Sequence, residues 1–274
     1  MIKLVAIDLD GTLLNPQGEL STSVKQTIQS VRQEKIKIVL CTGRPFYSLA
    51  PLIKQLQLHK EDEYVISFNG AVLSDARGET VFFEQAVSYE NFLQVLYLGQ
   101  QLGLNYHVQS KEGIFTSSLV IDQYTAYDSI LNRVPIKIVK LDELRHIPIY
   151  KVMLVGEKER IDAAIPQILP NWLKQFNHMR SLDCFYEFLP LQASKGQTLQ
   201  RLTEQLGIQS NEVLAIGDNE NDLSMLQFAG ISVAMGNAAQ TIKRQADYVT
   251  KSNEEDGVNH SLLQLLNEKR RIKS

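Results

Sequence analysis

The stretch Leu4-Val5-Ala6-Ile7-Asp8-Leu9-Asp10-Gly11-Thr12 begins with a short apolar run and ends in two acids beside a glycine. The run predicts a buried β-strand over Leu4–Leu9. Ligands of open parallel sheets bind outside the carboxyl ends of the strands, and alternation along the chain directs Asp8 and Asp10 to one side. Two carboxylates that converge there need a cation or a shared proton. Asp and Gly are also common turn residues, so this motif alone leaves a simple turn open.

Strand and helix patterns alternate on both sides of a central interruption, which predicts an α/β fold with a Rossmann-like parallel sheet. Before the interruption we predict a helix over Ser23–Gln33, a strand over Ile36–Cys41, a helix from Pro45 to about Leu56, and a strand over Tyr64–Phe68. After it we predict helices over Gly196–Leu206, Asn221–Ala229 and Ala238–Ala246, and strands over Val213–Ile216 and Ile231–Met235.

The pattern between these flanks is mixed, which predicts an inserted α+β module. We place the core domain at residues 1–83 and 189–274 and the inserted module at 84–188. Within the module we predict strands over Asn105–Gln109, Gly113–Ser117, Ile149–Val155, Phe176–Arg180 and Cys184–Leu189, and helices over Val120–Leu131 and Lys158–Leu169.

The composition indicates a folded protein of one large or two medium domains. Of the 274 residues 44% are apolar, and 28 basic against 31 acidic residues give a net charge of −3. This balance argues against nonspecific binding to nucleic acid or to a membrane surface.

The sequence also bears on the location of the protein. The N-terminal apolar run is too short for a signal peptide. The two cysteines, Cys41 and Cys184, indicate reduced thiols and a cytoplasmic protein. The uncharged stretch Leu223–Ile242 contains two glycines and is predicted to form helix, turns and strand rather than a membrane span.

Two further segments contain residues that could bind an anion or neutralise negative charge. Cys41-Thr42-Gly43-Arg44-Pro45 brings together a hydroxyl, a glycine amide and a predicted helix N-terminus, although Thr42 could simply cap that helix. Lys195, in Ala193-Ser194-Lys195-Gly196, lies at the start of a predicted helix. A cation there opposes the helix dipole, which suggests a task, although most such lysines are simply solvated.

A second pair of acids follows the predicted strand Val213–Ile216, in Gly217-Asp218-Asn219-Glu220-Asn221-Asp222. Asp218 lies at the end of the strand and Asp222 in the first helical turn, where each could also serve as a cap or a helix-start acid. Oxygen ligands from several strand ends are what Mg²⁺ requires, with water and a substrate phosphate completing its octahedron. The sequence therefore predicts a magnesium site at this edge of the sheet.

The order of these motifs resembles that of the haloacid dehalogenase superfamily of phosphatases. Its motifs match Asp-x-Asp-Gly-Thr at 8–12, Thr-Gly-Arg at 42–44, Lys-Gly at 195–196 and Gly-Asp-x-x-x-Asp at 217–222. Asn69-Gly70-Ala71 and Met235-Gly236-Asn237-Ala238 are similar to the Cof-type branch (subclass IIB) of sugar-phosphate phosphatases, which has a large inserted cap. The resemblance covers nearly the whole chain. It implies a Mg²⁺-dependent phosphatase that hydrolyses small phosphorylated metabolites, sugar phosphates or cofactor phosphates, through an aspartyl phosphate.

The resemblance also implies a role for each matching residue. Asp8 would attack phosphorus, and Asp10 would protonate the leaving alkoxide and then activate water. Mg²⁺ would be held by the side chains of Asp8 and Asp218 and by the carbonyl of Asp10. Asp222 would steady this set. The phosphoryl group would be held by Thr42, Gly43, Lys195, Asn221 and the backbone of Leu9, and Arg44 and Asn69 would contact the cap or the substrate.

The inserted module is implied to be a cap that closes over the site and selects the substrate. Its polar residues Tyr106, His107, Lys111 and Arg180 are more readily explained by packing or by surface exposure than by a role in binding. Two rival functions stay open, a phosphomutase-like transferase and a noncatalytic metabolite sensor. The presence of every motif acid and of Lys195 argues against the sensor.

Overall fold

The computed structural model describes residues 1–59 and 62–273, which form two β-sheets with flanking helices. The strands are β1 (Leu4–Asp8), β2 (Lys37–Cys41), β3 (Tyr64–Ser67), β4 (Val72–Asp75), β5 (Val81–Glu84), β6 (Asn105–Ser110), β7 (Gly113–Thr116), β8 (Ile136–Ile138), β9 (Lys151–Val155), β10 (Phe176–Leu182), β11 (Phe185–Pro190), β12 (Val213–Gly217), β13 (Ile231–Ala234) and β14 (Tyr248–Val249). The α-helices are α1 (Thr22–Gln33), α2 (Ala50–Leu56), α3 (Tyr89–Gln101), α4 (Gln123–Asn132), α5 (Lys158–Ala164), α6 (Pro170–Leu173), α7 (Lys195–Leu206), α8 (Leu223–Phe228), α9 (Gln240–Lys243) and α10 (Gly257–Lys273). None of the helices in the described residues is both long and apolar enough to cross a bilayer.

The first compact unit contains Met1–Gly43, Leu49–Phe83 and Ser194–Ser274. It is built on an eight-stranded sheet in the order β14-β13-β12-β1-β2-β3-β4-β5. Neighbours from β14 to β3 are parallel, whereas β3 and β4 are antiparallel. Every residue of the central strand β1 is buried. A parallel strand covered on both faces has a continuous apolar sequence. The predicted α/β fold with a parallel sheet is thus confirmed.

The register of the central strands brings acids from distant segments to one edge of the sheet. β1 and β12 run parallel, with Ile7 opposite Ile216. β1 then ends at Asp8 and β12 at Gly217, which directly precedes Asp218. The two acids therefore leave neighbouring strands side by side.

Helices α7 and α8 pack on this sheet through buried apolar side chains. Leu199 and Leu202 of α7 and Met225 of α8 share one cluster with Leu4 and Val213 of the two central strands. Burying a side chain of this size stabilises the fold by about 1.5–3 kcal/mol. The packing anchors both helices, so that the first residue of α7 and the turn before α8 have fixed places relative to the strands.

The second compact unit contains Arg44–Ser48 and Glu84–Ala193. Its six-stranded sheet has the order β10-β11-β9-β6-β7-β8, in which only β7 and β8 are a parallel pair. Aromatic rings fill much of its core, with Trp172 packed on Phe176 and Phe188 at centroid distances of 4.8 and 5.6 Å. The unit thus has mixed α and β elements. It begins at the predicted boundary of 84 but ends at 193 rather than 188, and it also includes Arg44–Ser48.

The helix predicted from Pro45 is shorter than expected. Phe46–Leu49 forms a 3-10 turn, in which the amide of Ser48 donates to the carbonyl of Pro45 at 3.1 Å, and the α-helix begins only at Ala50. The predicted helix therefore does begin shortly after Thr42 and Gly43, but its first turn is 3-10 rather than α.

Other helices also differ from their sequence patterns. The helix predicted over Lys158–Leu169 ends at Ala164, because Pro166 has no amide to continue its hydrogen bonds. The helix predicted over Asn221–Ala229 is a 3-10 turn followed by α8, and the one predicted over Ala238–Ala246 shrinks to α9. Strand β8 was not predicted, because three residues are too few to show alternation.

His107 is a packing residue of the second unit, as the sequence analysis favoured. It is fully buried, and its Nε2 lies 2.8 Å from Oδ2 of Asp128. Asp128 also accepts from Nε2 of Gln109 at 2.6 Å and from Nδ2 of Asn132 at 2.8 Å. The buried carboxylate is thereby satisfied from three sides, which is what a charge in the interior requires.

We expect Asp128→Ala to lower the free energy of unfolding by about 3 kcal/mol, because three buried groups lose their acceptor. Asp183→Ala is the matched control, since the Asp183 side chain is 74% exposed. It should change the free energy by less than about 0.5 kcal/mol. Denaturant unfolding followed by circular dichroism measures both variants. Equal values would show that the Asp128 contacts do not stabilise the unit.

Candidate active site

The site forms where β1 and β12 end. Asp8, Asp218 and Asp222 each offer one carboxylate oxygen, and these oxygens all lie within 4.8 Å of one another. Asp8 and Asp222 are buried, and Asp218 is half-buried. Three carboxylates this close repel one another unless cations lie among them.

Lys195 provides one such cation. Ser194 caps the N-terminus of α7 by accepting the Gln197 amide with its side chain, which places Lys195 in the first turn. Its side chain is fully buried, and its Nζ donates to Oδ1 of Asp8 and to Oδ1 of Asp222, both at 2.6 Å. These two ion pairs explain why a lysine occupies the start of α7, where its charge opposes the helix dipole.

Asp222 orders the loop that carries Asp218. While its Oδ1 accepts from Lys195, its Oδ2 accepts the amides of Asp218 at 2.9 Å and Asn219 at 3.1 Å. Both oxygens are therefore used by the protein itself. This pattern fits a supporting residue better than a direct ligand.

The turn after β1 leaves space for the Asp218 carboxylate. Gly11 has φ of +83°, and a Cβ at this position would clash with that carboxylate. The neighbouring Thr12 donates its hydroxyl to Oδ1 of Asp218 at 2.8 Å. Thr12 is a site residue that the sequence analysis did not assign, although it belongs to the first motif.

The charges and the burial shift the pKa values of the site. Burial raises the pKa of Asp8 well above its usual value and the charge of Asp222 raises it further, against the opposing effect of Lys195. Burial is also the main cause that raises the pKa of Asp218 to about 6, although its hydrogen bond from Thr12 lowers it. For Lys195, burial lowers the pKa, but the charges of Asp222 and Asp8 outweigh it and hold the pKa above its usual value.

The donor set suits a hard divalent cation. Three ionised carboxylates and one ammonium leave two negative charges uncompensated, which is the charge of one divalent ion. Carboxylate oxygens are the ligands that Mg²⁺ prefers. The contacts of Asp8 with Lys195 and of Asp218 with Thr12 run through Oδ1 in each case. Asp8, Asp218 and Asp222 together could hold a metal ion, and Asp222 has the most contacts within the protein.

A second group of predicted residues meets at the end of β2. The Asn69 amide donates to the Thr42 carbonyl at 2.9 Å, and Nδ2 of Asn221 donates to Oδ1 of Asn69 at 3.0 Å. A Cβ on Gly43 would lie 2.9 Å from that same Asn69 oxygen. Oδ1 of Asn221 is buried and has no hydrogen-bond partner among the described residues. At the end of β2, therefore, the backbone of Gly43 packs closely on Asn69, and the Asn221 side chain has a buried oxygen without a hydrogen bond from the described residues.

The remaining predicted residues have different surroundings. Leu9 is buried, whereas Asp10 is exposed, with its backbone in an isolated β-bridge to Leu14. Arg44 belongs to the second unit. Cys41 is fully buried, and burial raises the pKa of its thiol, so it is a packing residue rather than a nucleophile.

Known proteins resemble this chain over nearly its whole length. Residues 5–262 match the family described as haloacid dehalogenase-like hydrolase. The chain is 36% identical over 267 residues to a Bacillus subtilis protein named "Putative phosphatase YxeH", covering 97% of this chain and 99% of that protein. It is 30% identical over 289 residues to phosphatase YwpJ of B. subtilis, covering 97% of this chain and 100% of that protein.

Solved structures share the fold. A haloacid dehalogenase-like hydrolase from Bacteroides thetaiotaomicron matches with a TM-score of 0.87 at 30% identity, covering 97% of this chain and 100% of that one. A sugar phosphatase of subclass IIB of the same superfamily matches with a TM-score of 0.80 at 23% identity, covering 96% of this chain and 98% of that one. The second match bears on the fold alone.

The raised pKa values predict how pH affects metal binding. Because the folded pKa of Asp218 is raised to about 6, in the absence of metal its contribution to stability grows as pH falls from about 6 to about 4 and is lost as pH rises through about 6. The raised pKa of Asp8 acts in the same direction. A divalent cation binds the deprotonated carboxylates. We therefore expect Mg²⁺ to raise Tm more at about pH 8 than at about pH 5.

Thermal unfolding with and without Mg²⁺ at both pH values measures this difference. Asp218→Asn removes one of the titrating carboxylates, and its Mg²⁺-induced shift in Tm should be smaller and less dependent on pH. A shift in the parent that is equal at both pH values, or larger in acid, contradicts the assignment of these carboxylates as metal ligands.

Proposed function

Because the chain belongs to the haloacid dehalogenase-like hydrolase family, we propose that it is a Mg²⁺-dependent phosphatase of small phosphorylated metabolites that acts through an aspartyl phosphate on Asp8. The family membership confirms the resemblance inferred from the four sequence motifs. Since its relatives over the full length are named phosphatases, the chain is a phosphoric monoester hydrolase. The metal, the covalent intermediate, the residue roles and the substrate class are proposed.

The ammonium of Lys195 between two buried carboxylates is the observation that carries the proposal. It lies 2.6 Å from Asp8 and from Asp222, at the sheet edge that also holds Asp218. A phosphate dianion that approaches Asp8 meets a like charge, and two such charges at ~4 Å repel by about 4 kcal/mol at an effective dielectric of 20. Lys195 offsets this repulsion for both the nucleophile and the phosphoryl oxygens.

Asp8 must be ionised to attack phosphorus, and its surroundings decide whether it is. Burial and Asp222 raise its pKa, whereas Lys195 lowers it. A bound Mg²⁺, held by Asp8, Asp218 and the Asp10 carbonyl, would supply positive charge that keeps Asp8 ionised and stabilises the transferring phosphoryl group. Asp222, which already binds Lys195 and two backbone amides, would keep this set in place.

The reaction is a double displacement at phosphorus. A carboxylate oxygen of Asp8 forms a bond to phosphorus, the bond from phosphorus to the ester oxygen breaks, and the leaving alkoxide takes a proton from the carboxyl of Asp10. Water then forms the next bond to phosphorus and gives its proton to the Asp10 carboxylate. The bond between Asp8 and phosphorus breaks, which releases inorganic phosphate and restores both acids.

Other residues would hold the phosphoryl group during both steps. Thr42 and Gly43 lie at the end of β2, and Asn221 reaches the same corner through its bond to Asn69. The backbone of Leu9 would add a donor. Arg44 belongs to the second unit, and we propose that it contacts the substrate.

We further propose that the two units have different tasks. The first unit, predicted from the sequence as 1–83 and 189–274, would carry the chemistry. The second unit, predicted as 84–188 and found as Arg44–Ser48 and Glu84–Ala193, would act as a cap that selects the leaving group. Sugar phosphates or cofactor phosphates are the proposed substrates. Cytoplasmic localisation, inferred from cysteine usage, stays a prediction.

Asp8→Asn removes the proposed nucleophile while keeping its size. We expect Mg²⁺-dependent release of inorganic phosphate from a sugar phosphate to fall by at least about 10³-fold, because an amide oxygen is a poor nucleophile. Asp183→Asn makes the same change at an exposed position and should leave the rate unchanged. Circular dichroism and Tm would show that both variants fold. Hydrolysis by Asp8→Asn at the parent rate would disprove the role of Asp8.

The products separate the phosphatase from the rival functions. With one sugar phosphate and Mg²⁺, we expect inorganic phosphate in amounts equal to the sugar released, and loss of turnover after chelation by EDTA. Phosphate release and ³¹P NMR measure both. An isomeric sugar phosphate would instead indicate a phosphomutase. Binding without turnover across a panel of phosphorylated metabolites would indicate a sensor.

A further inference from the structure

Two asparagines from remote segments hold the turn that follows β1. Nδ2 of Asn237 donates to the carbonyl of Gly11 at 2.8 Å, across 226 residues of chain. Nδ2 of Asn253 donates to the carbonyl of Leu14 at 2.8 Å, across 239 residues. The backbone amide of Asn253 in turn donates to Oδ1 of Asn237 at 3.0 Å. We refer to Asn237 and Asn253 together as the asparagine clamp.

The hydrogen bonds determine how each side-chain amide points. A backbone amide can only donate, so Asn237 must present its oxygen to Asn253 and its nitrogen to Gly11. A backbone carbonyl can only accept, so Asn253 must present its nitrogen to Leu14. An aspartate has the same shape but no N–H, and it could make neither bond to the turn. The clamp therefore depends on the amide group rather than on side-chain size.

The clamped turn carries Asp10. An isolated β-bridge joins Asp10 to Leu14, and the amides of Thr12 and Leu14 donate to the carbonyl of Leu9 at 3.3 and 2.9 Å. The Asp10 side chain is exposed, so burial does little to place it. The backbone that carries this side chain is that of the turn, which the clamp holds at Gly11 and at Leu14.

We propose that Asn237 and Asn253 are positioning residues, which hold the turn so that Asp10 can transfer its proton to the leaving oxygen. This inference rests on the proposed function, in which Asp10 is the acid. Proton transfer requires hydrogen-bond distance, and a misplacement of ~1 Å is enough to slow a positioned reaction strongly. Asn237 lies in the Met235–Ala238 motif, which the proposed chemistry leaves without a role.

The test compares substrates that differ in their need for the acid. An alkoxide leaves well only when it is protonated, whereas p-nitrophenolate leaves without a proton. For Asn237→Asp and Asn253→Asp we expect kcat/KM to fall about tenfold or more with a sugar phosphate that the parent hydrolyses. With p-nitrophenyl phosphate the fall should be less than about threefold. Since kcat/KM reports the steps up to release of the leaving group, it isolates the acid role of Asp10.

Asn259→Asp is the matched control. Asn259 accepts from the Thr27 hydroxyl at 2.6 Å through its Oδ1, and an aspartate keeps that acceptor. Its kcat/KM should match the parent with both esters. Equal losses for the two esters in the clamp variants would indicate a merely structural role, and no loss would show that the clamp does not position Asp10. Either result overturns the proposal.

A parent without activity on any ester would instead mean that the proposed function has failed. In that case, the rates of hydrogen exchange at the Thr12, Leu13 and Leu14 amides measure whether the clamp stabilises the turn. Faster exchange in both clamp variants than in Asn259→Asp supports the clamp, and unchanged exchange overturns it.

Discussion

The site depends on one ammonium shared by two buried carboxylates. Lys195 is fully buried, and without Asp8 and Asp222 its charge would cost several kcal/mol in the interior. The two acids would in turn repel each other without it. None of the three groups is stable alone at this depth. The sheet and α7 must therefore bring them together before any of them can be buried.

The fold meets this requirement through parallel strand pairing and close helix packing. The pairing of β1 with β12 places Asp8 and Asp218 side by side, and apolar contacts of α7 and α8 hold Lys195 and Asp222 beside them. The start of α7 approaches its neighbours closely, since the amide of Gly196 donates to the Ser224 hydroxyl at 3.0 Å. The negative charge that remains on the three carboxylates is what a divalent cation would neutralise in the proposed function.

The spacing of apolar residues along the sequence predicted those strands and helices that bury one face or are buried throughout. The apolar run of β1 and the helical spacing of α1 and α7 identified those elements to within about one residue, since burial on fixed faces imposes their periods. The segment after Pro45 is helical as predicted, but its first turn is 3-10, because the fixed φ of proline suits the first turn of either kind of helix. Strand β8 was missed, because its pairing with β7 is a tertiary contact.

The sequence by itself determined which residues carry charge and which strands end in acids. The motif order was enough to identify the family, since four spaced motifs together are specific. Only the tertiary structure decided that Lys195 bonds both Asp8 and Asp222, that Thr12 binds Asp218, and that Asn237 and Asn253 hold the turn of Asp10. Hydrogen bonds of this kind join residues up to 239 positions apart. Their geometry depends on distances of a few tenths of an ångström, which no local pattern specifies.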